Sequence, residues 1–126
     1  VMDNPKVCVL GHTESADYPY DYDAVTKACK EKNVAMEFNV SRFRSQTSIQ
    51  RLHDIILPTC AKNGCYVIVD SDAHFCDKIG AFKKAEALKD IDFPEELIVN
   101  ADLERFESFL RLRGIKTNSE IEPDED

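Results

Sequence analysis

The stretch VIVDSDAHFCDKIG, residues 67–80, decides how this sequence is interpreted. It begins with apolar, β-branched residues, as expected for a strand that is buried on both faces. The strand then ends abruptly in Ser-Asp-Ala-His, which places a carboxylate at Asp72 and an imidazole at His74. Two interpretations are open: these side chains cap a helix and fill a turn, or they hold a metal ion.

The rest of the chain alternates between β-rich apolar segments and segments with helical periodicity. The predicted strands are residues 6–10, 34–39 and 66–70, with a further short strand at 97–99. The predicted helices are residues 21–33, 49–63, 79–88 and 101–113. This alternation predicts an α/β fold with parallel strands and crossover helices. A doubly wound open sheet and a β/α barrel both fit, and both place function at the carboxyl ends of the strands.

Several helix boundaries are predicted from individual residues. Asp21 is expected to cap the first helix and Asn100 the last. Pro58 is expected to kink or shorten the second helix, because it lacks a backbone N–H. His53 lies in the middle of that helix and is expected to be solvated or partly packed. The spacing of apolar residues across 79–88 predicts that Ile79 faces the core.

Composition limits the possible classes of protein. The 126 residues, 43% of them hydrophobic, suit one domain over residues 1–116. Residues 117–126 are predicted to be an acidic, disordered tail, and the net charge of −8 with no basic block disfavours nucleic-acid binding. The five cysteines lack Cys-x-x-Cys spacing and predict buried free thiols in a reducing compartment. With no membrane-length apolar run, these features predict a soluble cytoplasmic protein.

Polar residues follow each of the first three predicted strands. His12 comes after the first strand, Glu37 and Asn39 end the second, and Asp72 and His74 follow the third. Since parallel strands present their carboxyl ends at one edge, these side chains form a mixed nitrogen and oxygen ligand set suited to zinc, manganese or iron. Taken singly, each has a simpler explanation: a loop histidine, a glutamate paired with a lysine, or a helix-capping aspartate.

Four sequence blocks in this order resemble the PHP (polymerase and histidinol phosphatase) superfamily. The blocks are GHT, VAMEFNVS, SDAH followed by IGAF, and FPEELIVN. The resemblance covers roughly residues 6–115 and is strongest to the C-terminal half of the compact bacterial phosphatases of that group. It implies one half of a distorted (β/α)7 barrel, hence a partial PHP domain, with a metal centre of up to three divalent ions at the carboxyl ends of the strands.

The resemblance also implies roles for individual residues. His12, Asp72 and His74 match metal ligands of the family. Glu37 and Asn39 match the Glu and Asn of the family's Glu-Ile-Asn block. We expect a catalytic role for them, either behind the metal ligands or beside the substrate. Either Arg42 or Arg44 is a candidate for binding a phosphate, since a guanidinium fits its oxygens, although both also suit an ordinary surface position.

This sequence departs from the family pattern in two ways. Thr13 and Glu14 replace the Pro-Gly that follows the first histidine, and no His-x-His strand is present. We therefore expect at most one metal ion to bind this chain. We also expect the chain to be part of a longer protein, a truncated product or one half of an assembled pair, whose partner is the N-terminal half.

Three functions remain open from the sequence. The first is a metal-dependent phosphoesterase that hydrolyses a small phosphorylated substrate with a metal-activated hydroxide. The second is a non-catalytic remnant or interaction module of the same fold. The third is a phosphodiesterase acting on DNA ends, which the acidity of the chain disfavours.

Overall fold

The computed structural model describes residues 1–15, 17–42 and 50–117, and these form an α/β structure. The strands, in chain order, are β1 (Val9–Leu10), β2 (Ala35–Asn39) and β3 (Val67–Asp70). The α-helices within the described residues include α1 (Tyr22–Lys32), α2 (Leu57–Asn63), α3 (Ala87–Asp90) and α4 (Leu103–Leu112). A π-helical turn, Leu52–Ile56, leads directly into α2.

The three strands form one parallel sheet in the order β1-β2-β3. The predicted α/β class with parallel strands is therefore confirmed, while the (β/α)7 barrel stays a prediction. The strand expected at 97–99 is reduced to a single parallel bridge between Val67 and Ile98, and the Val99 N–H donates to the Val67 carbonyl at 2.9 Å. It goes no further because a 3-10 turn, Glu95–Leu97, immediately precedes it.

Two apolar clusters cover the two faces of the sheet. The larger cluster joins strand side chains to α1, α2 and the π-helical turn. Its largest fully buried hydrophobic side chains are Phe38, Met36, Leu52, Ile56, Leu57, Val34 and Val67. The smaller cluster, Ala35, Val99 and Phe109, lies on the other face, where α4 packs. Covering both faces explains why β3 is apolar at nearly every position.

Helix α1 begins and ends as the sequence predicts. The Asp21 carboxylate accepts a hydrogen bond from the Ala24 N–H at 3.0 Å, which satisfies a backbone donor of the first turn. Asn33 ends the helix in the left-handed conformation, with φ of 53°. Asp23 then ties α1 to α2, since its carboxylate also accepts from Lys62 and Asn63.

Pro58 marks the change from π-helical to α-helical geometry. The Leu57 N–H donates to the Leu52 carbonyl, five residues back, and the α-helix begins at this point. Proline has no backbone N–H, so it cannot donate the usual hydrogen bond to the carbonyl four residues before it. The π-helical turn forms where this series of α-helical hydrogen bonds is interrupted. Gly64 ends α2 with φ of 64°, in the left-handed region that glycine adopts most readily.

The helix predicted at residues 79–88 is wrong over most of its length. Two 3-10 turns, Cys76–Lys78 and Lys83–Glu86, precede the single short turn of α3. Between them Gly80 has φ of 75°, which a continuous right-handed helix excludes. Ile79 was expected to face the core and is instead 75% exposed. All residues from 73 to 83 are exposed.

Helix α4 is capped by Asp102 and not, as the sequence suggested, by Asn100. The Asp102 carboxylate accepts from the Arg105 N–H at 2.8 Å. Asn100 instead pairs with the backbone of β3: its Oδ1 accepts from the Val69 N–H at 2.9 Å, and its Nδ2 donates to the Val69 carbonyl at 2.6 Å. Its carboxamide thus takes the place of a neighbouring strand at this edge.

The thiols and the chain end can be compared with the sequence predictions. All five cysteines are free, and Cys29, Cys60 and Cys65 are buried, as predicted for small core side chains. Thr117, the first residue of the predicted tail, is buried, and its hydroxyl oxygen accepts from the Arg111 guanidinium at 3.4 Å. Residues 118–126 lie outside the described part of the chain. Within the described residues, no helix is long and apolar enough to cross a membrane.

Candidate functional site

The register of the sheet places polar side chains together at the carboxyl ends of β2 and β3. Glu37 lies opposite Ile68, and Asn39 lies opposite Asp70. Because side chains alternate along a strand, Glu37, Asn39, Ile68 and Asp70 share one face of the sheet. This is the face on which Ile68 packs against the smaller apolar cluster. Beyond that cluster, the same face carries carboxyl and amide groups.

The turn after β1 is held against β2 by hydrogen bonds. His12 has a left-handed backbone, with φ of 55°, and its N–H donates to Glu37 Oε2 at 2.5 Å. The Thr13 hydroxyl donates to the backbone carbonyl of Glu37 at 3.4 Å. A non-glycine residue in this conformation is under strain and needs surrounding contacts to keep it there. The position of His12 is therefore tied to the Glu37 carboxylate.

Two longer contacts fix the loop that continues from His12. The Tyr20 hydroxyl donates to the Thr13 carbonyl at 3.0 Å, and burial raises the pKa of this tyrosine. The Arg51 guanidinium donates to the Glu14 carbonyl at 3.0 Å. Thr13 and Glu14 are both buried. The pair that replaces Pro-Gly after the histidine is thus an anchored part of the structure.

The turn after β3 has a similar form. Asp72 is left-handed, with φ of 44°, and its N–H donates to the Asp70 carboxylate at 3.0 Å. Ser41 Oγ lies 2.8 Å from Asn39 Oδ1 and 3.2 Å from Asp72 Oδ2, so its hydroxyl proton has two competing acceptors. The Ser41 N–H also donates to Asn39 Oδ1 at 3.0 Å. These contacts link the ends of β2 and β3.

His74 is presented to solvent with one ring nitrogen engaged. Its Nδ1 lies 2.8 Å from the carbonyl oxygen of Asp72, and 74% of its side chain is exposed. A carbonyl accepts hydrogen bonds only, so Nδ1 carries the proton in this contact. In the neutral ring, Nε2 then has an available lone pair, which suits a metal ligand or a proton acceptor.

Negative charge is concentrated at this edge. The Asp70 carboxyl is partly buried, and its acidic neighbours are Glu37 on the adjoining strand and Asp72 two residues on. Burial first, and then the charge and hydrogen bond of Glu37, raise the pKa of Asp70 to about 7. Carboxylates held close together repel one another, so this edge of the sheet favours a positively charged ligand.

The structure brings most of the predicted residues to one edge of the sheet. One set of contacts joins His12 to Glu37 on β2, and a second runs from Asp70, at the end of β3, through Asp72 to His74. Within residues 1–15, 17–42 and 50–117, no three histidine, cysteine or acidic side chains are grouped so that they could hold a metal ion. The predicted ligands His12, Asp72 and His74 therefore lie on turns that follow neighbouring strands, but their side chains do not converge on one point in this arrangement.

Other residues fall outside this group or were not predicted. Arg44 lies outside the described residues, and Arg42 is described only as the end of a 3-10 turn, Val40–Arg42. His53 is not part of these contacts: its Nδ1 lies 2.8 Å from Oδ1 of its neighbour Asp54. The sequence interpretation missed Asp70 and Ser41. Asp70 could have been noticed as an acidic residue that ends an apolar strand.

Comparison with known proteins gives related sequences but no family match, since no protein-family model matches the chain. A protein of Clostridium novyi (strain NT) named probable phosphatase is 38% identical over 117 residues, or 90% of this chain and 48% of the relative. One of Clostridium acetobutylicum, also named probable phosphatase, is 38% identical over 127 residues, covering 96% and 50%. A third, from Aliivibrio fischeri (strain MJ11), is 39% identical and covers 90% and 47%. The chain spans about half the length of these curated relatives.

Proposed function

We propose that this chain contributes to the active site of a phosphatase that hydrolyses small phosphomonoesters with the help of divalent metal ions. The observation that carries the proposal is the similarity to proteins named probable phosphatase, which extends over about nine tenths of the chain. The polar groups at the carboxyl ends of β2 and β3 give it a location. Parallel α/β sheets bind their ligands at this edge.

The chemistry of the polar groups suits a divalent cation such as zinc, manganese or iron. Asp72 and His74 offer a carboxylate and a free imidazole nitrogen, and His12 lies on the adjoining turn. Burial and the neighbouring carboxylates of Glu37 and Asp72 raise the pKa of Asp70. A bound cation would relieve the repulsion among these carboxylates. His12, Asp72 and His74 are the residues that would hold it. A bound ion would supply a water of lowered pKa and neutralise charge on the phosphoryl group.

The chain's own polar groups have separate tasks in this proposal. Glu37 keeps the His12 turn in place through the His12 N–H. Asn39 and Ser41 fix the end of β2 against Asp72. Arg42 or Arg44 would bind the phosphate oxygens of the substrate, for which a guanidinium fork is well suited. The substrate class is a small phosphorylated molecule.

We further propose that residues equivalent to the other half of the relatives complete this site. The chain spans 48% of the Clostridium novyi protein. Residues 75–83 follow the candidate site directly and are all exposed, and they include Phe75 at 74% and Ile79 at 75% exposure. Exposed apolar side chains clustered in one segment are typical of a surface that packs against another folded unit. In the described part of the chain, the outer edge of β1 also carries no paired strand.

A direct test of this packing uses the corresponding other half of the Clostridium novyi relative as a separate polypeptide. We expect it to bind this chain, and we expect Ile79→Asp to weaken binding by more than about tenfold, because it buries a charge. Leu103→Asp is the matched control, since Leu103 is 72% exposed on α4. Equal effects of the two substitutions, measured by calorimetry, would refute the assigned surface.

The catalytic proposal is tested by hydrolysis of a chromogenic phosphomonoester with added Mn²⁺ or Zn²⁺, for the chain alone and mixed with that other half. We expect His74→Ala to lower turnover more than about 100-fold, since it removes a ligand and not merely a supporting group. His53→Ala is the matched control, because the His53 ring pairs with its exposed neighbour Asp54. Equal rates for wild type and His74→Ala would overturn the proposal.

A second candidate is a non-catalytic module of the same fold. The match to only about half of each relative favours it, because half of a site need not support turnover. In that case neither the chain nor its mixture with the other half would hydrolyse the ester, and calorimetry would detect no stoichiometric metal binding. A phosphodiester substrate in the same assay distinguishes the third possibility, an enzyme acting on DNA ends.

A further inference from the structure

Asn100 completes the edge of β3 at the point where that strand leads into the candidate site. Its Oδ1 accepts from the Val69 N–H at 2.9 Å, and its Nδ2 donates to the Val69 carbonyl at 2.6 Å. The pair of bonds needs an acceptor and a donor on two neighbouring atoms, which the planar carboxamide group provides. Val69 directly precedes Asp70, and the turn that carries Asp72 and His74 begins just after it.

We infer that Asn100 is a positioning residue for the candidate site, because it fixes the carboxyl end of β3 and therefore the turn that carries Asp72 and His74. This inference deepens the proposed function, and it rests on that proposal only for its consequence in catalysis. Asn100 does not touch the substrate in this assignment. It acts through the backbone of Val69, from which the turn continues.

Strand β3 is held from two sides, and the side of Asn100 has the fewer backbone partners. On one side β3 pairs in parallel with β2 along its whole length. On the other side the Val99 N–H donates to the Val67 carbonyl at 2.9 Å, next to a single parallel bridge. In the described part of the chain no strand continues this pairing, so without Asn100 the N–H and carbonyl of Val69 would face an open edge.

The turn after Val69 depends on contacts that begin at the end of the strand. The Asp72 N–H donates to the Asp70 carboxylate at 3.0 Å, and His74 Nδ1 lies 2.8 Å from the Asp72 carbonyl oxygen. Asp72 also has a left-handed backbone, with φ of 44°, which a non-glycine residue keeps only where surrounding contacts hold it. Since these contacts start from Asp70, a displacement of the strand end at Val69 moves both Asp72 and His74.

Asn100 is itself held in place by the segment around it. Val99, the preceding residue, is buried and packs with Phe109 of α4 in the smaller apolar cluster. The Arg105 guanidinium, also on α4, donates to the Glu95 carbonyl at 2.9 Å. The carboxamide therefore projects from a short segment that α4 holds against the sheet. A side chain that positions another group needs a support of this kind.

The test is residue-resolved amide hydrogen exchange, measured by NMR on the whole chain. We expect Asn100→Ala to speed exchange of the Asp72 amide about tenfold relative to the Met36 amide, which lies in the central strand and reports opening of the whole sheet. Asn63→Ala is the matched control, because the Asn63 carboxamide also links distant segments: it donates to Thr26 Oγ1 at 2.8 Å and joins α2 to α1. The control should leave the ratio of the two exchange rates within about twofold of wild type.

A longer carboxamide provides a second variant. Asn100→Gln keeps a donor and an acceptor but moves both by one methylene group, so it should speed the Asp72 amide about threefold relative to the Met36 amide. This variant decides the question if Asn100→Ala does not fold. If the ratio of the two rates rises no more in the Asn100 variants than in Asn63→Ala, Asn100 only stabilises the fold, and the inference is overturned.

The exchange experiment and the phosphatase assay fail independently. Exchange rates need no substrate, so a chain without turnover still shows whether Asn100 holds the turn. Where turnover is present, Asn100→Ala should lower kcat about tenfold and leave KM within about twofold, because substrate still binds while Asp72 and His74 are misplaced. Asn63→Ala should leave kcat unchanged. An equal fall of kcat in both variants would show that lost stability alone is responsible and would overturn the positioning role.

Discussion

Asn100 provides a quantitative test of how the edge of the sheet is completed. Its carboxamide makes two hydrogen bonds to Val69, at 2.9 Å to the N–H and 2.6 Å to the carbonyl. At about 0.5–1.5 kcal/mol net for each bond, Asn100→Ala should lower the free energy of unfolding by roughly 1–3 kcal/mol. With the usual unfolding entropy per residue, a chain of 126 residues would lose roughly 4–11 °C in Tm.

Asn100→Asp separates the two bonds. The aspartate keeps an acceptor for the Val69 N–H but places a carboxylate oxygen against the Val69 carbonyl, so at pH 7 it should cost more than alanine. As the pH falls toward about 4 the carboxyl protonates and can donate again, and its deficit relative to wild type should shrink.

Chemical denaturation at several pH values measures both variants. Asn4→Ala is the control, because Asn4 is exposed and its side chain receives one local bond from the Lys6 N–H. The reasoning fails if Asn100→Ala costs no more than this control, or if the deficit of Asn100→Asp does not change with pH.

Three further predictions concern the rest of the fold. Phe38→Ala should cost about 3–5 kcal/mol in a urea titration, whereas Phe75→Ala, at 74% exposure, should change stability by less than about 0.5 kcal/mol; similar costs would contradict the assigned core. Hydrogen bonds from Lys27, Asn63 and Lys62 hold the pKa of Asp23 well below its usual value. This carboxylate therefore stabilises the fold above about pH 4, and its contribution is lost as the pH falls further. Acid titration of Asp23→Asn should therefore show a smaller loss of stability between about pH 5 and pH 2 than wild type. Arg113 donates to three backbone carbonyls, two near the N-terminus and one at the last residue of α1. Arg113→Lys should lower Tm by several degrees, since an ammonium cannot reproduce that fork; an unchanged Tm would show that these contacts add nothing.

The helix boundaries show where local sequence is sufficient. Asp21 caps α1 and Gly64 ends α2, as predicted, whereas Pro58, expected to kink or shorten its helix, marks a change from π-helical to α-helical geometry within it. In each case the residue acts on backbone groups within a few positions of itself, so the signal is contained in the sequence. Asn100 shows the opposite. It stands two residues before the true cap of α4 and has a side chain suited to capping, yet its partners lie 31 residues away.

The residues from 73 to 83 show a different reason for error. Ile79 and Phe82 lie at helical spacing, and that spacing normally indicates a face turned toward a core. In the structure they are 75% and 45% exposed, and Gly80 is left-handed between them. The spacing of apolar residues indicates that their side chains are buried, but it does not identify the surface against which they pack. If the other half of the relatives packs here, the pattern was correct about burial and wrong about the helix.

The α/β class, the approximate strands and the polar residues that follow them are all predictable from the amino-acid sequence, because the alternation of apolar patterns and the turn residues are local properties. How those polar residues lie relative to one another depends on the folded sheet. The register of β2 and β3 places Glu37 and Asp70 on one face, so the two carboxyl groups that accept from the His12 and Asp72 amides lie on the same side of the sheet. Register arises from pairing between distant segments, so the pattern within any one segment does not contain it.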